Sequence, residues 1–230
     1  MRLPDDTNRI TIVGTTGSGK TVAGVWHLSQ ANYITKPWLI YDFKRDDLLA
    51  EIEALEGSYE ITTDDIPDKP GLYFVHPHPD DTEAVQDQMR RVWERRNIGI
   101  YVDEGYMVSS GRNKRNWFRT LLTQGRSLHI PIITLAQRPS WIDRFVFTES
   151  QFYQVFRLNH VGDRNKIMEY VPADLSQPLA EFHSYYHDVG ANKTYLVKPV
   201  PTGDAIISVF QTKLEKMLEK PELQKRRVFL

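Results

Sequence analysis

Gly14-Thr15-Thr16-Gly17-Ser18-Gly19-Lys20-Thr21 is the stretch that decides the fold. Its pattern is G-x-x-x-x-G-K-T. The glycines let the backbone turn tightly enough to aim successive N–H groups inward, around a phosphate. A helix beginning where the loop ends adds the partial positive charge of its N-terminus. The lysine and hydroxyl residue that close the motif supply a cation for the β- and γ-phosphates and a ligand for Mg2+. The flanks provide the context this motif needs. Arg9-Ile10-Thr11-Ile12-Val13 reads as a strand, and residues 21–30 read as a helix with apolar positions at Val22, Val25, Trp26 and Leu28. Residues 14–21 are therefore read as a nucleotide phosphate-binding loop, with Lys20 on the phosphates and Thr21 on the metal.

Moving outward, Pro37-Trp38-Leu39-Ile40-Tyr41-Asp42, Leu72-Tyr73-Phe74-Val75, Ile98-Gly99-Ile100-Tyr101-Val102-Asp103 and Ile130-Pro131-Ile132-Ile133-Thr134-Leu135 are short apolar runs. Runs of that kind suit parallel strands buried on both faces. Helices are expected over 46–55, 81–96 with Asp81 as cap, 116–124, 163–170 and 204–220. Residues 57–71 are polar and carry Gly57, Pro67, Pro70 and Gly71, so they read mostly as loop. Residues 152–158 alternate like a strand. Tyr185-Tyr186-His187 and Thr194-Tyr195-Leu196-Val197 flank Gly190-Ala191-Asn192 as a hairpin, with Tyr185 and Tyr186 on alternate faces of an edge strand. Strands alternating with helices imply an α/β fold. The expectation is a RecA-like P-loop NTPase: a mainly parallel central sheet, helices on both faces and a C-terminal β-hairpin. Residues 1–205 form the expected ATPase core, and 206–230 a C-terminal helix and basic tail.

The 230 residues suit one domain, with 40% hydrophobic and 26% charged residues. No apolar run approaches the ~18 residues that span a bilayer. There is no cysteine, which excludes disulfides and thiolate metal sites. A reducing cytoplasm, that of a host cell, is the natural compartment, with virion association as a further expectation. The net charge of -1 hides a segregation. Residues 42–87 hold 14 acidic and 3 basic residues, whereas 105–142 hold 6 basic and no acidic ones. That asymmetry reads as two differently solvated faces or as a local basic surface for a polyanion.

A second carboxylate element sits at Asp103-Glu104, at the end of an apolar run. A buried strand ending in two carboxylates suits a nucleotide-hydrolysis site, with Asp103 on Mg2+ and Glu104 as general base for water. Gln137 follows the 130–135 run. Ligands of parallel sheets bind beyond the carboxyl ends of strands, so its amide is expected near the γ-phosphate. His76 and His78 with Asp80 and Asp81 are read as structural, because Pro77 and Pro79 make a stiff loop. Asp42 and Lys44 are read either as site contacts or as a buried ion pair.

Gly125-Arg126-Ser127, the following strand and Ala136-Gln137-Arg138-Pro139-Ser140 resemble the FtsK/HerA superfamily of DNA-pumping ATPases. That family ends this strand with a T-Q-R-P-S-like sequence, and Ala136 stands here in the Thr position. Asp42-Phe43-Lys44 resembles the family's D-P-K segment, and Phe156-Arg157-Leu158 with Asp163-Arg164 resembles its later strand and D-S-R segment. The resemblance covers roughly residues 9–200. A bare core of this length is similar to the genome-packaging ATPases of tailless, membrane-containing phages and viruses. The resemblance implies ATP and Mg2+, double-stranded DNA as partner, and a homo-oligomeric ring, usually a hexamer. It also implies an arginine from the neighbouring subunit, for which Arg126 is the first candidate, with Arg119, Arg138 and Arg157 as alternatives. Capsid or portal-vertex proteins and a peripheral membrane contact are further expected partners. Arg112, Lys114 and Arg115 lie in a small-residue loop suited to gripping DNA phosphates without reading bases. The basic tail at Lys225-Arg226-Arg227 could touch DNA, a portal or lipid headgroups.

Two other functions fit a phosphate loop in a chain of this length. A small P-loop kinase would need an Arg-rich lid and an acceptor pocket, and Glu104 beside Asp103 favours water as acceptor instead. A nucleotide-gated assembly factor would not need Glu104 for turnover.

Overall fold

The computed structural model describes residues 1–109 and 116–219. Arg112, Lys114, Arg115 and the tail at Lys225-Arg226-Arg227 lie outside the described residues. Nine strands form one sheet: β1 (Arg9–Val13), β2 (Pro37–Tyr41), β3 (Ser58–Glu60), β4 (Gly71–Val75), β5 (Gly99–Val102), β6 (Ile132–Ala136), β7 (Phe152–Val155), β8 (Ser184–Asp188) and β9 (Lys193–Val197). Their spatial order is β3-β4-β2-β5-β6-β1-β7-β8-β9. The pairings from β3 through β7 are parallel, and β8 and β9 close the sheet as an antiparallel hairpin.

The apolar runs are continuous because both faces of the sheet are covered. On β2, Trp38 and Ile40 face one core, while Leu39 and Tyr41 face the other; on β6, Ile133 and Leu135 oppose Ile132 and Ala136. The period of two along each strand sends alternate residues to opposite faces. One face packs α1 (Lys20–Gln30), α2 (Asp47–Glu53) and α8 (Gly203–Leu218) through Ala23, Val25, Leu28, Leu49, Ile52, Ile206 and Phe210. The other packs α3 (Thr82–Arg95), α4 (Gly105–Ser109), α5 (Trp117–Gln124), α6 (Arg144–Thr148) and α7 (Val161–Met168), through residues such as Met89, Val108, Phe118, Leu121, Phe147 and Ile167. α8 thus shares the core of α1 and α2.

The structure corrects several expectations. Residues 58–60 form an edge strand inside the segment read as loop; their side chains are too exposed to show a buried-strand pattern. Asp81 does not cap α3, because its carboxylate accepts the His78 N–H at 3.1 Å instead. Tyr185 and Tyr186 lie on β8, which is flanked by β7 and β9, so the outer edge is β9. The residues after Asp103 and Glu104 form α4, a five-residue helix that was not anticipated. Asp46, Asn116 and Asp143 do cap their helices, each accepting a backbone N–H of the first turn.

Candidate functional site

Four adjacent strands bring the site residues to one rim of the sheet. In the order β2-β5-β6-β1, their carboxyl ends lead into Lys44, Asp103-Glu104, Gln137 and the 14–21 loop. The loop starts where the Gly14 N–H donates to the Ala136 carbonyl at 3.2 Å and the Thr15 N–H to the Arg157 carbonyl at 3.1 Å. Its turn needs glycine at two points. Gly17 and Gly19 have φ of 73° and 92°, in the left-handed region that L side chains avoid. α1 follows with no side-chain cap, so its first N–H groups are left for an anion.

Lys20 is buried, with 4% of its surface exposed. Burial and then the nearby Lys44 charge push its ammonium below the usual lysine range, while Asp103 and Glu104 oppose that shift. Asp103 is fully buried on the end of β5, and both carboxylate oxygens lack a hydrogen-bond partner among the described residues. Burial raises its pKa, and the charges of Lys44 and Lys20 pull the other way. A buried carboxylate left without hydrogen bonds is costly and is seldom kept without a reason. Ser18 Oγ, within the 14–21 loop, is a second buried polar atom without a hydrogen-bond partner among the described residues.

Glu104 stands beside Asp103, half-buried, with Lys44 Nζ at 2.7 Å from its Oε2 and 3.6 Å from Asp103 Oδ2. Burial alone would lower the Lys44 pKa, but the Asp103 charge and the Glu104 hydrogen bond raise it. Lys44 is thus ion-paired with the two carboxylates that follow β5. Asp42 serves the same turn differently: its carboxylate accepts the Lys44 and Asp46 N–H groups and fixes the loop that carries Lys44. The sequence marked Lys44 by its place after a buried strand and by the D-P-K resemblance, but not its partners Asp103 and Glu104. Gln137 is joined to the loop by Thr16 Oγ1, which donates to Gln137 Oε1 at 3.2 Å.

Lys20, Thr21, Asp103, Glu104 and Gln137 therefore gather at one rim, but Arg126 does not join them. It is exposed in the turn between α5 and β6, at the opposite ends of the strands, and it has no ion pair among the described residues. Two of the alternatives are engaged within the chain. Arg119 pairs with Asp143, while Arg138 donates to Asp163 at 2.8 Å and lies over the Trp141 ring at 4.8 Å. The Arg157 side chain is exposed, beside Gly17 and Ser18. The His76 ring sits 3.0 Å from Glu53 and 3.6 Å from Asp42, and one of its nitrogens lies within 4.8 Å of carboxylate oxygens of Glu53 and Glu60.

A glycine-turned loop, an uncapped helix, a buried lysine and a buried carboxylate without hydrogen bonds suit phosphoanhydride chemistry. No protein-family model matches the chain. The chain is 44% identical over 223 residues to the DNA packaging ATPase P9 of Enterobacteria phage PRD1, covering 91% of this chain and 95% of that protein. Among solved structures it is similar to the genome packaging NTPase B204 of Sulfolobus turreted icosahedral virus 2 in complex with AMPPCP. That match has a TM-score of 0.66 at 17% identity, over 86% of this chain and 100% of that one. It is also similar to EssC (ATPases 2 and 3) of Geobacillus thermodenitrificans, with a TM-score of 0.62 at 16% identity, over 96% of this chain but 45% of that one. At such identities the structural matches speak for the fold. The sequence match reaches further: identity of 44% along nearly the whole length of both proteins means that this chain belongs to the family of phage DNA packaging ATPases that includes P9.

Proposed function

We propose that the chain hydrolyses ATP and uses that energy to drive double-stranded DNA into a preformed capsid. The observation that supports the hydrolytic part is the fully buried Asp103 carboxylate, which accepts no hydrogen bond among the described residues, next to Glu104 and after the strand two places from the phosphate loop. Thr21 and Asp103 are hard oxygen donors, and the unsatisfied Asp103 oxygens fit a magnesium ion and its water shell. Bound there, the ion would neutralise charge on the β- and γ-phosphates. In this reading the 14–21 backbone and Lys20 hold the phosphates, Glu104 takes a proton from the attacking water, and Gln137 orients that water. Lys44 holds Glu104 in place until a γ-phosphate offers it a competing anion.

The exposed Arg126, far along the strands from its own loop, is well placed to enter a neighbour's site. That supports a ring, a hexamer in the simplest case, in which each site takes its last cation from the next subunit. Arg112, Lys114 and Arg115 would grip DNA phosphates without reading sequence. Capsid or portal-vertex proteins and a peripheral contact with membrane are the partners this role calls for. No described helix is long and apolar enough to cross a membrane. The test is particle production with Lys20→Ala: capsids should assemble and stay empty. DNA-filled particles made with that variant would rule out the packaging role.

A further inference from the structure

The loop reading fixes a direction along the sheet. Asp103, Glu104 and Gln137 follow β5 and β6, on one side of the 14–21 loop. A triphosphate with its γ-end toward them must leave its nucleoside on the other side, toward β7 and β8. There a cleft of about 240 Å3 opens, lined by Gly17, Ser18, Arg157 and the 179–183 loop. It joins the phosphate loop directly.

Two features of its walls suit a flat aromatic ligand. Phe182 is 45% exposed, yet its ring is held against the loop: a Cβ placed on Gly19 would meet Phe182 Cδ1 at 3.1 Å. Its φ is 57°, a left-handed conformation uncommon for a bulky residue. Such strain persists where the surroundings over-determine it, and it clusters at ligand clamps. Here the turn is closed on itself, with the His183 N–H donating to the Ala180 carbonyl at 3.1 Å and His183 Nδ1 at 3.0 Å from the Glu181 carbonyl. Arg157 is fixed at the other wall, because its carbonyl accepts the Thr15 N–H while its side chain stays exposed. An aromatic ring and a planar cation lining one cleft are the side chains that stack on a nucleobase.

We propose that this cleft is the nucleoside subsite. It takes the purine base of the substrate, stacked on Phe182 with the Arg157 guanidinium beside it. The proposal rests on the phosphate-loop reading of residues 14–21, and the test separates the two. Dissociation constants are measured for ATP and for inorganic tripolyphosphate, which has no base. Phe182→Ala should weaken ATP about tenfold while leaving tripolyphosphate within about twofold, and Phe182→Trp should restore ATP affinity. Lys20→Ala should weaken both ligands. If Phe182→Ala leaves ATP affinity unchanged, or weakens both ligands alike, the base does not sit here. If Lys20→Ala weakens neither ligand, it is the phosphate-loop reading that fails.

Discussion

Lys20 and Lys36 are buried to nearly the same degree, 4% and 3% exposed, at opposite rims of the same sheet. Burial depresses the pKa of both. Their partners differ. Lys36 precedes β2 and donates to the carbonyls of Asp6 at 3.0 Å and His129 at 3.3 Å, tying three segments together. Lys20 sits among charges: Lys44 disfavours its ammonium, Asp103 and Glu104 favour it, and Asp103 itself lacks a hydrogen-bond partner. The first arrangement is complete without a ligand. The second leaves charge in excess of what its hydrogen bonds satisfy, which suits the proposed binding of a phosphate and a cation. Counting partners, more than counting exposure, separates a structural buried lysine from a functional one.

The contrast breaks most visibly by removing each lysine. Lys20→Ala should lower ATP turnover about 10^2- to 10^3-fold, since one positioned cation is lost from the developing charge. Its denaturant midpoint should stay level or rise, because an incompletely paired buried ammonium has gone. Lys36→Ala should do the reverse. Two charge-assisted hydrogen bonds and a buried stem are lost, at a cost of about 3 kcal/mol in urea unfolding, with turnover per folded molecule unchanged. A Lys36 variant that was stable but inactive would erase the distinction.

His27 tests the structural side by pH. It lies in α1, fully buried, with Nε2 2.8 Å from Gln154 Oε1, and burial lowers its pKa to about 4. The unfolded imidazole, near its ordinary value of about 6.5, takes up a proton that the folded one refuses. Stability is therefore fully present above about pH 6.5 and is lost as pH falls toward 4. From pH 7 to pH 5 the loss attributable to His27 is about 2 kcal/mol. His27→Gln should be less stable at pH 7 and show a flatter profile in urea melts over that range.

Lys44 gives the smallest effect. Its charge opposes the rise in the Asp103 pKa, so Lys44→Ala should move the acidic limb of the pH–rate profile to higher pH. At pH 8 turnover should change by less than about tenfold. A limb that moved to lower pH would mean that Lys44 does not hold these carboxylates.

Much of the site was readable because its signals are local. The glycine spacing, the apolar run before Asp103-Glu104 and the strand before Gln137 each fit within a few residues. Parallel pairing then forces those strand ends onto one rim. What the sequence hid depends on distant contacts. Lys44 reaches Glu104 across 60 positions, and Phe182 folds back over Gly19 from a loop with no regular period. β3 is three residues long and exposed, so it exists through pairing with β4 and not through its own pattern. Lys36 resembles any loop lysine until the Asp6 and His129 carbonyls are brought to it.

Under the proposed function, the Asp103-Glu104 end of β5 hydrolyses ATP to move DNA. Glu104→Gln tests it most directly, in single-turnover ATP hydrolysis with double-stranded DNA present. ATP affinity should be retained while the hydrolysis rate falls by about 10^2- to 10^4-fold. Hydrolysis within about twofold of the unmodified chain would mean that Glu104 is not the general base.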